Sequence, residues 1–459
     1  MKVWSITSGP RRVGRTRAVR YAAGKALRKR VPRSTHAVWA PPHDRPDPID
    51  LVAELDKRRI AELIPILYGR MSLSPFTFLR GSAAVMARDL SATPTTRVRV
   101  QLCGDAHVSN FGVYEPPGRG PVFGLTDFDE TLPGPWEWDL KRLATSLVVA
   151  GRANHFPPAE NRRAARASIT AYREWMHRFA EMTYLDLWYC RIDPETAVAK
   201  LRLDGVSRVK PSLVKGRRRT SLEMFPRLAE VVRGQYRIRD EPPLIVHYSV
   251  HEGAEESRRF YDRYLGSLSP PRRALLERYR VVDIARKVVG VGSVGTRCSI
   301  MLLMGDPDVE DPLFLQIKQA LPSVLERYAG PSVFTNHAER VVNGQRLTQQ
   351  VPDLVLGWSR LGGSDFYVRQ LHTGKTPPDV PERNAKELIA KAELCGVTLA
   401  RAHARTGDPA MIAGYLGNGP GFDDAVADFA EAYADQTEAD HALLVAAIKR
   451  GKIAAKVDV

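Results

Sequence analysis

The stretch that decides the fold reads Gly104-Asp105-Ala106-His107-Val108-Ser109-Asn110, and Thr126-Asp127-Phe128-Asp129 follows it. Asn110 lies five positions after Asp105, and the apolar residues 120–126, which can form a strand, lead into Asp127. Transfer of a phosphoryl group from a nucleotide needs a carboxylate that orients the attacking hydroxyl. It also needs oxygen ligands, such as an amide and a second carboxylate, that hold Mg²⁺ on the phosphates. The competing interpretation is a hairpin whose Asp and Asn only satisfy the backbone of a turn.

A glycine-rich motif lies far downstream. Residues 290–296 place Gly290, Gly292, Ser293 and Gly295 in a G-x-G-x-x-G pattern, which both dinucleotide-binding folds and kinases use. A dinucleotide site needs a helix directly after the glycines. Residues 296–303 are instead apolar and partly β-branched, which predicts a strand. The sequence therefore favours a glycine-rich hairpin that binds nucleotide phosphates.

The next predicted strand, 313–319, carries Lys318, which is placed to reach those phosphates as in kinases. The alternative is a solvated lysine on a strand. A lysine of the kinase type needs a carboxylate on the following helix, which we predict over 334–350. Glu339 lies 21 residues after Lys318 and Glu326 lies nearer. We favour Glu339, because Glu326 leaves the chain little room to turn back.

The order of the two motifs is the reverse of that in kinases, where the glycine hairpin comes first. Here Asp105 precedes Gly290 by 185 residues. Either the motifs belong to unrelated domains, or the chain is circularly permuted, which compact domains with neighbouring termini tolerate. The helix predicted over 385–404 favours permutation, since similar helices precede the catalytic loop in small-molecule kinases.

Several of these motifs resemble those of known protein families. Gly104-Asp105-x-His107-x-x-Asn110, Asp127-Phe-Asp129 and Trp138-Asp139-Leu140 resemble the aminoglycoside phosphotransferase and choline kinase branch of the kinase-like superfamily. Residues 25–440 also resemble an uncharacterised bacterial family, domain of unknown function 2252. The segments that carry this second resemblance include Arg70-Met71-Ser72, Phe78-Leu79-Arg80-Gly81 and Leu399-Ala400-Arg401-Ala402-His403-Ala404.

The resemblance implies an α+β, protein-kinase-like fold of two lobes that is circularly permuted, with a small antiparallel β lobe and a larger, mainly helical lobe. Together with the block of basic residues before Asp44, it predicts four segments: a flexible basic arm over 1–45, a large helical lobe with the catalytic and metal-binding loops over 46–280, a β-rich nucleotide-binding lobe over 281–375, and C-terminal helices over 376–459 that pack back on the large lobe.

The resemblance also implies roles for single residues. Asp105 would be the catalytic base, Asn110 a metal ligand, Asp127 the principal magnesium ligand, and Asp139 a buried acid that caps the backbone of the catalytic loop. His107 would shape that loop. Asp129 is either a second metal ligand or a solvated acid. One departure from the pattern is Cys103, where those phosphotransferases usually carry His.

Composition agrees with a cytoplasmic enzyme. No apolar run reaches the roughly 20 residues of a membrane helix, and the four cysteines are scattered, which argues against structural zinc and a disulfide framework. The net charge is +16, with basic blocks before Asp44 and over 208–219. Such blocks are usually solvated, but they can bind nucleic acid or anionic surfaces. They lack the interleaved aromatic residues of a single-strand platform.

The sequence thus predicts an ATP- and Mg-dependent phosphotransferase that acts on a small-molecule hydroxyl. The alternatives are a nucleotide-binding pseudokinase, an AMP-transferase that uses the same metal site, and a nucleic-acid-associated protein that acts through the basic arm.

Overall fold

The computed structural model describes residues 15–114, 122–192, 221–247, 254–288, 294–306, 308–371 and 384–457. The α-helices are α1 (Arg17–Leu27), α2 (Pro48–Asp56), α3 (Ile64–Ser72), α4 (Pro75–Gly81), α5 (Ala83–Ser91), α6 (Glu137–Ala153), α7 (Pro158–Glu181), α8 (Tyr184–Tyr189), α9 (Ser221–Leu228), α10 (Ala254–Gly266), α11 (Pro270–Leu276), α12 (Glu326–Ala329), α13 (His337–Thr348), α14 (Ala385–Thr406), α15 (Pro409–Leu416) and α16 (Gly421–Lys449). Short 3-10 turns cover Arg33–Ala37, Ala61–Leu63 and Val108–Asn110.

The strands are β1 (Arg99–Leu102), β2 (Phe111–Tyr114), β3 (Val122–Leu125), β4 (Leu132–Pro135), β5 (Ala229–Val232), β6 (Gln235–Ile238), β7 (Ile245–His247), β8 (Arg280–Lys287), β9 (Cys298–Met304), β10 (Pro312–Ala320), β11 (Gly357–Leu361) and β12 (Ser364–Gln370). They form a six-stranded antiparallel sheet in the order β11-β12-β10-β9-β8-β7 and three two-stranded sheets, β1-β4, β2-β3 and β5-β6. The mixed α+β class with small antiparallel sheets is confirmed.

The large sheet extends beyond the range predicted for the β lobe. Its edge strand β7 comes from residues before 281 and pairs antiparallel with β8, Ile245 lying opposite Lys287. Strand β10 lies in the interior of this sheet, so that Lys318 has Tyr367 of β12 on one side and Cys298 of β9 on the other. A central strand is held by neighbours on both sides, which fixes the position of the lysine.

The helical part is built on the amphipathic helix α7. Ile169, Tyr172, Met176 and Phe179 are spaced to share one face, and all are at most 1% exposed. The sequence predicts one amphipathic helix over 160–187 whose apolar stripe, Ile169, Tyr172, Trp175 and Phe179, belongs to the core rather than to a cofactor site. The burial of Ile169, Tyr172 and Phe179 agrees with this, and the partly buried Trp175 packs against the same core. The opposite side carries arginines that pair with acids of α16, such as Arg173 with Asp423.

Two predicted helices are broken in the structure. Pro46, Pro48 and Asp50 at its entry predict one helix from Asp47 to Gly69. The structure divides it into α2 and α3, because Pro65 has no N–H group and starts a new helix. The backbone N–H of Ile60, in the break, donates instead to Gly295 O at 2.7 Å. The helix expected over 160–187 ends at Glu181, and Thr183 caps the separate helix α8.

The basic segment from residue 17 onward is a packed helix and not a flexible arm. Helix α1 crosses α15 at glycines: a Cβ built at Gly24 would lie 1.9 Å from Met411 O. Arg28 Nε donates to Tyr415 O at 2.8 Å, at the end of α15, where carbonyl groups lack helical partners. Close packing and a cation at a helix C-terminus explain the order of this segment. Residues 1–14 lie outside the described part.

Candidate active site

The loop that follows β1 is held by one buried carboxylate. Asp139, 1% exposed on α6, accepts the backbone N–H of Cys103 at 2.7 Å and that of Gly104 at 3.0 Å. His403 of α14 lies 3.3 Å from the same carboxylate. The prediction that Asp139 caps this loop is confirmed, and Cys103 takes part through its backbone. Hydrogen bonds from two backbone N–H groups to one buried carboxylate fix the position of the loop.

Hairpin β2-β3 brings the two halves of the first motif together. Its register places Phe111 opposite Leu125, so the residues just outside the pair, Asn110 and Thr126, are neighbours. Thr126 N donates to Asn110 O at 2.9 Å. The Asn110 side chain donates from Nδ2 to Asp105 O at 2.7 Å, which leaves Oδ1 as its acceptor atom. Local hairpin geometry thus carries Asn110 to the start of the Asp127 segment.

Lys318 meets the acidic segment directly. Its Nζ contacts Asp129 Oδ2 and lies 4.0 Å from Asp127 Oδ2, although 189 residues separate Lys318 from Asp129. Asp129 also accepts a hydrogen bond from Tyr367 Oη at 2.8 Å. Burial of Lys318 disfavours its charged form, but the two carboxylates outweigh burial and hold the pKa of the lysine well above its ordinary value. Lys318 is therefore a cation at the acidic cluster.

Residues from later in the chain also hold the acidic segment, residues 126–130, in place. Arg340 of α13, 2% exposed, donates to the carbonyl oxygens of Thr131, Asp129 and Leu321 at 2.7 to 2.8 Å. Glu130 accepts Val324 N at 2.7 Å, and burial raises the pKa of its carboxyl to about 7. A guanidinium bound to three carbonyls holds the backbone on both sides of this carboxyl.

Asp105 is paired with an arginine. Arg142 of α6 contacts Asp105 Oδ1, while Oδ2 lies 3.6 Å from His107 Nε2. Burial lowers the pKa of His107 to about 4, so this imidazole is neutral at pH 7. His107 therefore shapes the loop without adding charge, as the resemblance implied.

The donor set suits magnesium. Asn110 supplies an amide oxygen and Asp127 a carboxylate that is 28% exposed, which are ligands that Mg²⁺ accepts in sites completed by phosphates and water. Within the described ranges no group of three or more His, Cys, Asp or Glu side chains could hold a metal by itself. Asp129 is engaged by Lys318 and Tyr367.

The predicted glutamate partners of Lys318 make other contacts than expected. Lys318 forms its ion pairs with the aspartates and, among the described residues, not with Glu339 or Glu326. Glu326 instead lies 3.7 Å from both His337 and Arg340. The predicted Lys318–Glu339 pair is therefore wrong, because the turn between β3 and β4 brings Asp129 into contact with the lysine.

The structure describes only part of the glycine motif. Gly290, Gly292 and Ser293 lie outside the described residues. Gly295 has φ +88°, and a Cβ there would lie 2.9 Å from the Arg59 side chain, so this position requires glycine.

Sequence reasoning missed three residues of the site: Arg142, Arg340 and Tyr367. Arg142 lies three positions after Asp139, one helical turn along the same face, which was a signal available in the sequence. Arg340 and Tyr367 reach the site from the far end of the chain, and nothing local marks them.

The chain matches a family model over residues 59–447, described as an uncharacterized protein conserved in bacteria (DUF2252). The chain belongs to this family. The domain of unknown function 2252 thus covers the Asp105 loop, the large sheet and helix α14. Searches of the curated proteins and of the solved structures found no significant match. None of the helices in the described ranges is long and apolar enough to span a membrane.

Proposed function

We propose that this member of the DUF2252 family is an ATP- and Mg-dependent phosphotransferase of the kinase-like superfamily that phosphorylates the hydroxyl group of a small molecule. The observation that carries the proposal is the position of Lys318. Its Nζ contacts Asp129 and lies 4.0 Å from Asp127 Oδ2. Lys318 and the segment of Asp127 and Asp129 each predicted a nucleotide site from distant parts of the chain, and they lie in contact.

The order of elements around Lys318 supports a circularly permuted kinase-like fold. Strands β8 and β9 pair on either side of the glycine motif, β10 carries the lysine beside β9, and helix α13 follows. This is the arrangement of hairpin, lysine strand and helix that the resemblance implies.

The chemistry follows from the side chains. Asn110 Oδ1 and Asp127 would hold Mg²⁺, which would supply positive charge to the phosphate groups. Lys318 would bind the phosphate oxygens in place of its present partner. Asp105 would orient the hydroxyl of the acceptor and accept its proton.

Three alternatives remain open to experiment. A pseudokinase would keep the nucleotide site without needing Asp105, so the joint presence of Asp105, Asn110, Asp127 and Lys318 favours chemistry. Transfer of AMP would use the same metal site with a different phosphorus. The described residues give no specific support to nucleic-acid binding through the basic arm. Arg20, Arg28 and Arg33 are bonded instead to Asp408 or to carbonyl groups of α15.

Calorimetric titration with a non-hydrolysable ATP analogue, with and without magnesium, tests the proposal. We expect magnesium-dependent binding that Asp127→Ala and Lys318→Ala each weaken by about tenfold or more, since each removes a charged contact to the metal or phosphates. Asp44→Ala and Lys29→Ala, which change exposed residues, are the matched controls. No binding by the wild type, or binding that neither site variant alters, would refute the proposed nucleotide site.

A further inference from the structure

The candidate base Asp105 has two unequal carboxylate oxygens. Arg142 donates from Nε to Oδ1, and its Nη2 lies against the same atom. Among the described residues Oδ2 has no such partner: His107 Nε2 lies 3.6 Å away, beyond hydrogen-bond distance. The Asp105 side chain is 20% exposed, whereas that of Arg142 is 3% exposed. The arginine therefore approaches from inside the protein, and the less occupied oxygen is the one available to a ligand.

Arg142 is itself fixed by several elements. Its Nη2 donates to Leu79 O of α4 at 2.9 Å, and its Nη1 lies 3.4 Å from Met86 Sδ of α5. With its own helix α6, three helices determine where the guanidinium lies. A planar guanidinium that is bonded on several sides cannot follow a rotating carboxylate. The carboxylate must instead follow the arginine.

We propose that Arg142 is a positioning residue of the phosphotransfer reaction: it occupies Oδ1 of Asp105 and thereby presents Oδ2 to the acceptor hydroxyl. This inference rests on the proposed function. It adds a residue that acts only through Asp105 and touches neither nucleotide nor metal. Removing Arg142 should therefore slow turnover while leaving nucleotide binding unchanged, because Asn110, Asp127 and Lys318 stay in place.

A purely structural role for Arg142 is the competing explanation, since the same side chain joins α4, α5 and α6. The two explanations differ in a double-mutant cycle. A residue that works through Asp105 has nothing left to position once Asp105 no longer acts as a base, whereas a structural contribution is independent of the Asp105 charge.

The experiment compares wild type, Arg142→Met, Arg142→Lys, Asp105→Asn and the double variant Asp105→Asn/Arg142→Met. The readouts are the rate of Mg-ATP consumption and the calorimetric Kd for the non-hydrolysable analogue. We expect Arg142→Met to lower kcat about 10- to 100-fold, the scale for misplacing a general base, with Kd changed less than about threefold. Arg142→Lys keeps the charge and should recover part of kcat. In the Asp105→Asn background, Arg142→Met should lower kcat by less than about twofold.

Arg163→Met, at an exposed residue of α7, is the matched control. Its kcat and its Kd should equal those of the wild type. If Arg142→Met does not fold, as judged by circular dichroism, the same cycle is run with Arg142→Lys. A loss of the same size in both backgrounds, or a change in Kd without a change in kcat, would overturn the inference while leaving the proposed function intact. Failure of the wild type to bind Mg-nucleotide would overturn the proposed function and the inference together. Binding without any consumption would favour the pseudokinase and remove the role of Arg142.

Discussion

At the scale of single residues, Asp139 joins the stability of the core to the geometry of the site. Its two oxygens accept the N–H groups of Cys103 and Gly104 inside the protein. Asp139→Asn replaces one acceptor oxygen by an NH₂ group that faces an N–H donor. We expect the free energy of unfolding to fall by about 2–4 kcal/mol, since hydrogen bonds to a charged group are lost and a buried donor is left unpaired.

Urea unfolding measures this loss. Asp435→Asn is the control, because Asp435 is 71% exposed in its ion pair with Arg152, and should change stability by less than about 0.5 kcal/mol. Equal stabilities of the two variants would contradict the capping role of Asp139.

Glu130 gives a prediction about pH. Burial raises its carboxyl pKa from an ordinary 4.5 to about 7, so between these values the folded state keeps a proton that the unfolded chain releases. Stability should therefore fall as pH rises through this window, by at most about 1.4 kcal/mol per pH unit, and level off above pH 7. Glu130→Gln cannot ionise but keeps an oxygen for Val324 N, and should remove this contribution.

The measurement is urea unfolding of wild type and Glu130→Gln at pH 5, 6, 7 and 8. The stability of the variant relative to wild type should increase from pH 5 to pH 7. Glu54→Gln, at an exposed residue, should follow the wild-type profile. Parallel profiles for Glu130→Gln and wild type would show that Glu130 is ionised normally in the folded protein.

At the scale of elements, the crossing of α1 and α15 depends on two glycines. A Cβ at Gly24 would lie 1.9 Å from Met411 O, and one at Gly414 would lie 2.1 Å from Tyr21 O. Alanine favours a helix over glycine by about 1 kcal/mol. Even so, we expect Gly24→Ala to lower the free energy of unfolding by about 1–3 kcal/mol, because the helices must separate.

Gly266→Ala is the matched control, since a Cβ there has no neighbour within 4 Å at the end of α10. It should be neutral or slightly stabilising in the same urea experiment. If Gly24→Ala were as harmless as Gly266→Ala, the packing of α1 on α15 would be contradicted, and the basic segment would behave as the flexible arm first expected.

At the scale of the whole molecule, a nucleotide bound at Lys318 and Asp127 would join the large sheet to the Asp105 and Asp127 loops. A ligand that binds only the folded state at 100 times its Kd stabilises that state by about 2.7 kcal/mol. We expect Mg-ATP to raise the Tm of wild type by about 2–5 °C. Asp127→Ala and Lys318→Ala should lose this increase, whereas Lys29→Ala should keep it. An equal increase with ATP in the absence of magnesium would contradict the metal site.

Local patterns predicted much of the fold and part of the site. The glycine hairpin, the strand of Lys318, the buried stripe of α7 and the capping role of Asp139 each depend on residues close together in the sequence, whose period or spacing determines the result. Asn110 and Asp127 belong to this group, since a short hairpin is enough to bring them together. The breaks after Asp56 and Glu181 were missed, because periodicity continues across them while proline and capping residues end the helices.

The sequence by itself thus determined the α+β class, the resemblance to the DUF2252 family and the residue types of the candidate site. Only the tertiary structure decided which groups meet there. Lys318 pairs with Asp129 rather than Glu339, Arg142 holds Asp105, and the basic segment packs as α1 against α15. The physical reason is the same in each case. These contacts join elements that are distant in the chain, and the packing of whole helices and sheets, not local propensity, sets the distances between them.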